Sequence, residues 1–274
     1  MYLSEKVQRE IEEKLPKEFK AQHKLLQKKH GTALLCAAAG TGTMYAMKTM
    51  LLLAVSNIKN CRVIIIDGER NEYRNMIDNF IETSRGLGKC ILWENKMLDY
   101  PAIPDDFDIL YYKCNKHMGS FDNKLACLQD ALLRVYGNPN LTEDIKRPVW
   151  VFCDGINDYF DCEPVAAAVV AWLLRHTAEN NTVAYIAEYS ADGIMATEVG
   201  KRLLEEIDFF TFLSIPPRER QYFSELLSFD DELIRDKPAG KGIVCNKGKI
   251  QKIAFPNYKD SPAIKYLMVK EKKS

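Results

Sequence analysis

The order of apolar runs from His30 onward constrains the fold most. Short apolar runs alternate with amphipathic stretches, the pattern of a parallel sheet whose strands are joined by helices. The expected strands cover residues 32–36, 62–66, 90–93, 149–153, 182–187 and 208–213. The helices between them are expected over 43–58, 71–84, 122–136, 164–178, 192–206 and 217–228. After Arg62, residues 63–66 are apolar without alternation, and so are residues 149–153, as strands buried on both faces are. The segment GKGIVCNKGKIQKIAF reads differently, as a β-hairpin turning at Asn246, Lys247 and Gly248. Residues 95–121 and 138–148 read as loop-rich. The row of small residues from Ala166 to Trp172 suits a helix packed closely on a sheet. Residues 4–29 read as charged helix, with Ser4 as cap and Pro16 as a break. No repeat or linker interrupts the chain. The expected organisation is therefore an N-terminal helical segment, 1–29, and a single α/β domain, 30–274.

Composition narrows the function. Lys plus Arg and Asp plus Glu number 38 each, so the formal net charge is zero, which argues against a chain whose main work is coating nucleic acid. A local basic patch remains compatible with that balance. The longest apolar stretch, 165–174, is too short to span a bilayer. The charged start, MYLSEKVQREIEEK, has no apolar centre and is not a signal peptide. Eight cysteines include no C-x-x-C pair, and Cys36, Cys90, Cys153 and Cys245 fall in strand-like runs. They read as reduced, structural thiols of a cytoplasmic protein rather than metal ligands. His23, His30, His117 and His176 lie far apart and suggest no catalytic pair.

One junction has the layout of a phosphate-binding loop. An apolar strand to Cys36 runs into the small residues 37–42 and then into a helix from Met44. That setting presents backbone N–H groups and a helix N-terminus to phosphate. On the pattern G-x-x-x-x-G-K-[ST], Ala37 and Gly42 take the glycine positions. Thr43 then stands where the lysine belongs and Met44 where the Mg²⁺-holding hydroxyl belongs. The candidate nucleotide-binding residues are Gly40, Thr41, Gly42, Thr43 and Met44.

A second junction, RPVWVFCDGINDYF at 147–160, ends its strand in Asp154, the place of a Walker B carboxylate; a plain strand-to-loop cap is the alternative. The position that usually carries a water-polarising Glu is Gly155. A third, RVIIIDGERNEY at 62–73, gathers Asp67, Glu69 and Glu72 ahead of Tyr73. Acidic residues that suit a helix N-terminus explain that cluster equally well.

Taken in order, these segments resemble the TraC/TrbE-like motor ATPases of conjugation and type IV secretion, a branch of the HerA–FtsK group. The resemblance rests on His30-Gly31, the loop Gly40 to Tyr45, Lys48, Asp67-Gly68-Glu69 and Glu72-Tyr73, and Asp154-Gly155. It continues through Glu188 at the family's Gln, Arg220 at its Arg, and Gly240-Lys241-Gly242-Ile243-Val244 at its hairpin. It implies a RecA-like P-loop NTPase core with a mostly parallel sheet flanked by helices, N-terminal helices and a C-terminal β-hairpin. By family position, Asp154, Glu188 and Arg220 would be the functional side chains.

The departures bear on activity. The loop Lys, its Ser/Thr neighbour, the Walker B Glu and the Gln are all replaced, and Lys48 lies more than a turn into the helix. Neither Thr43 nor Met44 can neutralise a transferring phosphoryl group. The resemblance with these losses implies a hydrolysis-deficient pseudo-ATPase, a scaffold or regulatory subunit of DNA or protein transfer. Two alternatives stay open: a motor completed by a neighbouring subunit, and a nucleotide sensor without turnover. No metal site is expected beyond Asp154 where Mg²⁺ binds, and ATP with Mg²⁺ would bind weakly. Implied partners are other subunits of conjugation or secretion machinery, an active homologous ATPase among them. Nucleic acid is compatible but not indicated by the charge. The implied location is the cytoplasm, at the inner face of the membrane. Arg218 and Arg220 follow Pro216-Pro217, where solvated arginines on a first helical turn are the plain reading.

Overall fold

In this computed structural model, residues 31–56, 62–67, 72–84, 90–94, 108–113, 148–157, 160 and 181–256 are described, with isolated positions elsewhere. The elements are β1 (Gly31–Cys36), α1 (Thr43–Ser56), β2 (Arg62–Ile66), α2 (Arg74–Ser84), β3 (Cys90–Glu94), β4 (Ile109–Lys113) and β5 (Val149–Asp154). There follow β6 (Thr182–Glu188), α3 (Asp192–Ala196), α4 (Glu198–Glu206), β7 (Phe209–Phe212), α5 (Pro217–Leu227), β8 (Lys241–Asn246) and β9 (Lys249–Ala254). The chain divides into two compact units. One comprises Met1–Leu15, Met50–Phe152 and Asn257–Ser274, the other Pro16–Thr49 and Cys153–Pro256.

The first unit orders its strands β3-β4-β2-β5. β4 runs parallel to both β2 and β3, with Ile64 beside Leu110 and Ile91 beside Leu110. Every residue of β2 is buried, which is why its sequence shows no polar alternation. Helix α2 contributes Met76 and Ile77 to the core. β4 is a correction: the stretch 95–121 was expected to be loop-rich, yet Ile109–Lys113 is a strand. The signal ILYYK is short, and its tyrosines are buried rather than exposed as their polarity suggests.

The second unit orders its strands β6-β1-β7-β8-β9. β6, β1 and β7 are parallel, with Leu34 placed between Ile186 and Phe210. β8 runs antiparallel to β7, and β9 antiparallel to β8, forming the expected hairpin. Its turn is narrower than expected, with only Lys247 (φ 45°) and Gly248 (φ 78°) between the strands. That is the two-residue turn whose left-handed pair matches strand twist. Phe210 and Phe212 lie on one face of β7, and Phe223 of α5 packs between them at ring distances of 5.7 and 4.8 Å. Gly242 admits no side chain, because a Cβ there would stand 1.9 Å from the carbonyl oxygen of Phe212.

The helix expected over 192–206 is in fact two. Thr197 interrupts it with extended backbone, and its hydroxyl oxygen accepts from the Gly200 amide at 3.0 Å, capping α4. Helical positions recur across 164–177, with Val170 and Thr177 buried and Ala167, Ala171 and Arg175 exposed, a one-faced pattern. Lys6, Arg9, Glu10 and Glu13 are helical, in keeping with the expected N-terminal helix. The helix over 122–136, the segment 138–148 up to Arg147, Glu69 and the four histidines lie outside the described residues.

Candidate functional site: the turn between β1 and α1

The site lies in the second unit, at the carboxyl ends of β1 and β6. β1 is buried throughout, and each fully buried leucine such as Leu34 contributes about 1.5–3 kcal/mol of hydrophobic stabilisation. The strand is therefore a firm base for the loop that follows. The Ala37 amide donates to the Glu188 carbonyl at 3.0 Å and the Ala38 amide to the Ser214 carbonyl at 2.7 Å. These bonds continue the sheet on both sides before the chain turns. Gly40 (φ 81°) and Gly42 (φ 107°) then adopt left-handed backbone that other residues reach only under strain.

The loop is also held from the hairpin. Gly240 donates its amide to the Thr41 carbonyl at 3.0 Å, and a Cβ on Gly42 would come within 3.2 Å of the Gly240 nitrogen. Ala39 and Gly40 are exposed, Thr41, Gly42 and Met44 half-buried, and Thr43 buried. Thr43 and Met44 open α1, so their amides have no carbonyl one turn earlier to bond. Backbone donors and a helix N-terminus thus meet at the turn, an arrangement suited to an anion.

Two side chains of the loop bond to the loop itself. The Thr41 hydroxyl donates to the Ala38 carbonyl at 2.7 Å, and the Thr43 hydroxyl to the Ala37 carbonyl at 3.3 Å. Both hydroxyls are turned onto the loop itself. Met44 offers a helix start no hard oxygen for Mg²⁺. Tyr45 points elsewhere, its hydroxyl donating to the Pro256 carbonyl. The backbone of the loop fits a phosphate group, while neither Thr43 nor Met44 supplies a cation or a hard oxygen at the positions where the pattern G-x-x-x-x-G-K-[ST] carries them.

Asp154 ends β5 as expected and is 9% exposed. Gly155 follows with φ 77°, so the position of the water-polarising Glu has backbone that disfavours any side chain. Glu188 ends β6, and its Oε1 accepts from the amides of Ile156 and, at 2.9 Å, Asn157. The side chain at the family's Gln position thus caps the turn after Asp154. Asn157 extends the link, its Oδ1 accepting from the Ile194 amide at 3.0 Å.

Sequence reading missed Glu219. It is buried in the first turn of α5, accepting from the Ser190 hydroxyl at 3.1 Å and the Ala191 amide at 3.2 Å. Burial raises its carboxyl above the ordinary Glu range, against the lowering effect of those two hydrogen bonds. Burial also pushes the Cys36 thiol well up, and the nearby charges of Glu219 and Glu188 add to the effect. The floor beside the loop is therefore acidic, with a neutral thiol. Arg220, next to Glu219, is half-buried, with a buried Nε that has no hydrogen-bond partner among the described residues, while exposed Arg218 stands 3.9 Å from Asp192.

The acidic cluster of the first unit has a structural use. Asp67 Oδ1 accepts from the Glu72 amide at 3.1 Å, and Oδ2 from the Tyr73 amide at 3.0 Å and the Tyr111 hydroxyl at 2.7 Å. Fully buried, it ties the turn before α2 to β4. Burial, with the Asp67 charge and hydrogen bond, keeps Tyr111 protonated.

No family model matches the sequence, and no curated protein matches it. Solved structures do resemble the fold. VirB4 of Thermoanaerobacter pseudethanolicus aligns with TM-score 0.61 at 12% identity, over 85% of this chain and 91% of that one. The cytoplasmic domain of the Thermomonospora curvata type VII secretion ATPase EccC aligns with TM-score 0.55 at 13% identity, over 88% of this chain and 28% of that one. The bacterial conjugative coupling protein TrwB aligns with TM-score 0.52 at 12% identity, over 83% and 85%. The chain has the RecA-like P-loop fold of such ATPases, a mostly parallel sheet with helices. Among the described residues no helix is long and apolar enough to cross a membrane.

Proposed function

We propose that this chain is a RecA-like subunit of conjugation or secretion machinery that holds an anionic group at Gly40–Met44 without turning over Mg²⁺–ATP. The observation that carries the reading is the loop's chemistry. Its backbone donors persist, while the residue in the lysine position, Thr43, donates to Ala37 of the same loop. Gly155 adds support, since its left-handed backbone disfavours a Glu at the Walker B position. The fold likeness to VirB4, EccC and TrwB supports a place in transfer or secretion machinery. In this reading residues 30–274 work as one domain behind a helical segment at 1–29, in the cytoplasm at the inner face of a membrane.

A second reading is favoured by Arg220, whose buried Nε lacks a partner among the described residues. In that reading Arg220 serves an anionic group on another subunit, an active homologous ATPase among them, and the chain regulates that subunit. Asp154 would hold Mg²⁺ only in a complex that supplies the missing cation. Binding of a labelled ATP analogue, with and without Mg²⁺, tests the proposal. Weak binding indifferent to Mg²⁺ is expected; tight Mg²⁺-dependent binding would favour a working motor, and no binding would leave a scaffold alone.

A further inference from the structure

The C-terminal hairpin carries an unusual charge distribution. Residues 237–256 contain five lysines, Lys237, Lys241, Lys247, Lys249 and Lys252, and no Asp or Glu. All but Lys237 are exposed, and none forms an ion pair with a described residue. The contrast with Arg235 is direct, since Arg235 is held by Glu232 at 2.7 Å and Asp236 at 3.4 Å. β9 pairs with β8 and ends the strand order of its unit, so its other edge is open among the described residues.

The register fixes what that edge presents. A two-residue turn makes Asn246 and Lys249 the closing hydrogen-bonded pair, and bonded pairs then alternate along an antiparallel ladder. The backbone groups of Ile250 and Lys252 consequently face outward from β8. Ile250 is itself 37% exposed. Ile243 and Lys252 stand opposite each other and share a face of the hairpin, and there a groove of about 290 Å³ is lined by Leu233, Pro238 and Ile243 and rimmed by Lys237, Lys241 and Lys252.

We propose that the β9 edge binds an extended acidic segment of another protein, which adds a strand beside Ile250–Lys252, sets its carboxylates against the lysines and seats an apolar side chain in the groove. Open backbone groups supply the strand pairing, and alternate side-chain positions supply selection. The lysines, with no ion pair among the described residues, supply the charge complement. A nucleic-acid phosphate backbone would also be drawn to lysines. The hairpin from Lys241 to Ala254 has no aromatic side chain on which bases could stack, and its exposed isoleucine and apolar groove suit a peptide better.

The test uses the full chain with a fluorescein-labelled Glu–Val octapeptide, a central Val flanked on both sides by Glu so that carboxylates reach both faces of the added strand, its Gln–Val counterpart, and an oligothymidylate of equal charge. Expected are saturable binding of the Glu–Val peptide, weaker binding of the Gln–Val peptide, and slowed amide exchange at Ile250 and Lys252. Lys249→Glu with Lys252→Glu should weaken the Glu–Val peptide about tenfold or more, roughly one tenfold step of affinity. Lys249→Ala with Lys252→Ala, a milder change on exposed positions, should weaken it in the same direction. The proposal is overturned by absent peptide binding, by binding that ignores both double variants, by unchanged exchange at Ile250 and Lys252, or by tighter binding of the oligothymidylate through the same lysines.

Discussion

The hydroxyl of Thr43 donates to the carbonyl of Ala37 at 3.3 Å, across the two ends of the same turn. In a hydrolytic loop this position sends a lysine toward phosphate; here it closes the loop on itself. Thr43→Lys with Met44→Ser should therefore raise affinity for an ATP analogue about tenfold or more, because it adds a charge-assisted donor and a hydroxyl to an intact backbone cradle. Calorimetric titration of the double variant checks it. Unchanged affinity would mean that the cradle does not face a phosphate.

Gly155 sets a limit on repair. With φ 77°, a Glu there should cost about 1–2 kcal/mol of stability, as non-glycine residues in left-handed backbone do. Gly155→Asn should cost less, since Asn tolerates that region. Urea unfolding of both variants measures the difference, and equal stability of Gly155→Glu and the parent chain would refute the strain.

Gly242 should resist even the smallest side chain. Its missing Cβ would stand 1.9 Å from the Phe212 carbonyl oxygen, so Gly242→Ala must push β8 from β7. A loss of about 1–3 kcal/mol is expected, typical of overpacking. Gly248→Ala, whose Cβ meets nothing within 4 Å, serves as a comparison and should lose only its turn preference.

Glu219 should give stability a pH dependence of definite sign. Burial raises its pKa in the folded state, so the unfolded chain releases this proton at lower pH than the folded chain does. Its contribution is present below the ordinary Glu pKa of about 4.3 and is lost as pH rises through the raised folded value. Glu219→Gln should flatten that part of the profile, and denaturation across a pH series shows it. A profile identical to that of the parent chain would contradict the assignment.

Much of this architecture was legible in the chain. β1, β2, β5 and β6 announce themselves because strands buried on both faces are apolar at every turn of the pleat. The hairpin was legible from Asn246-Lys247-Gly248 between two alternating runs. β4 was not, because Tyr111 and Tyr112 look half-polar until their burial is known. The break at Thr197 had a local signal, a threonine ahead of Glu198, which the apolar periodicity on either side outweighed. Near the candidate site, the turn between β1 and α1 and the end of β5 at Asp154 could be placed from short-range pattern alone. The role of Glu188 depends on Asn157, 31 residues away, and that of Glu219 on Ala191, 28 residues away. No local pattern carries such pairings.

Mg²⁺-dependent ATP hydrolysis by the purified chain tests the central claim most directly. The expected result is a rate no higher than that of an Asp154→Ala variant prepared in parallel. Turnover by the parent chain, abolished in Asp154→Ala, would contradict the account.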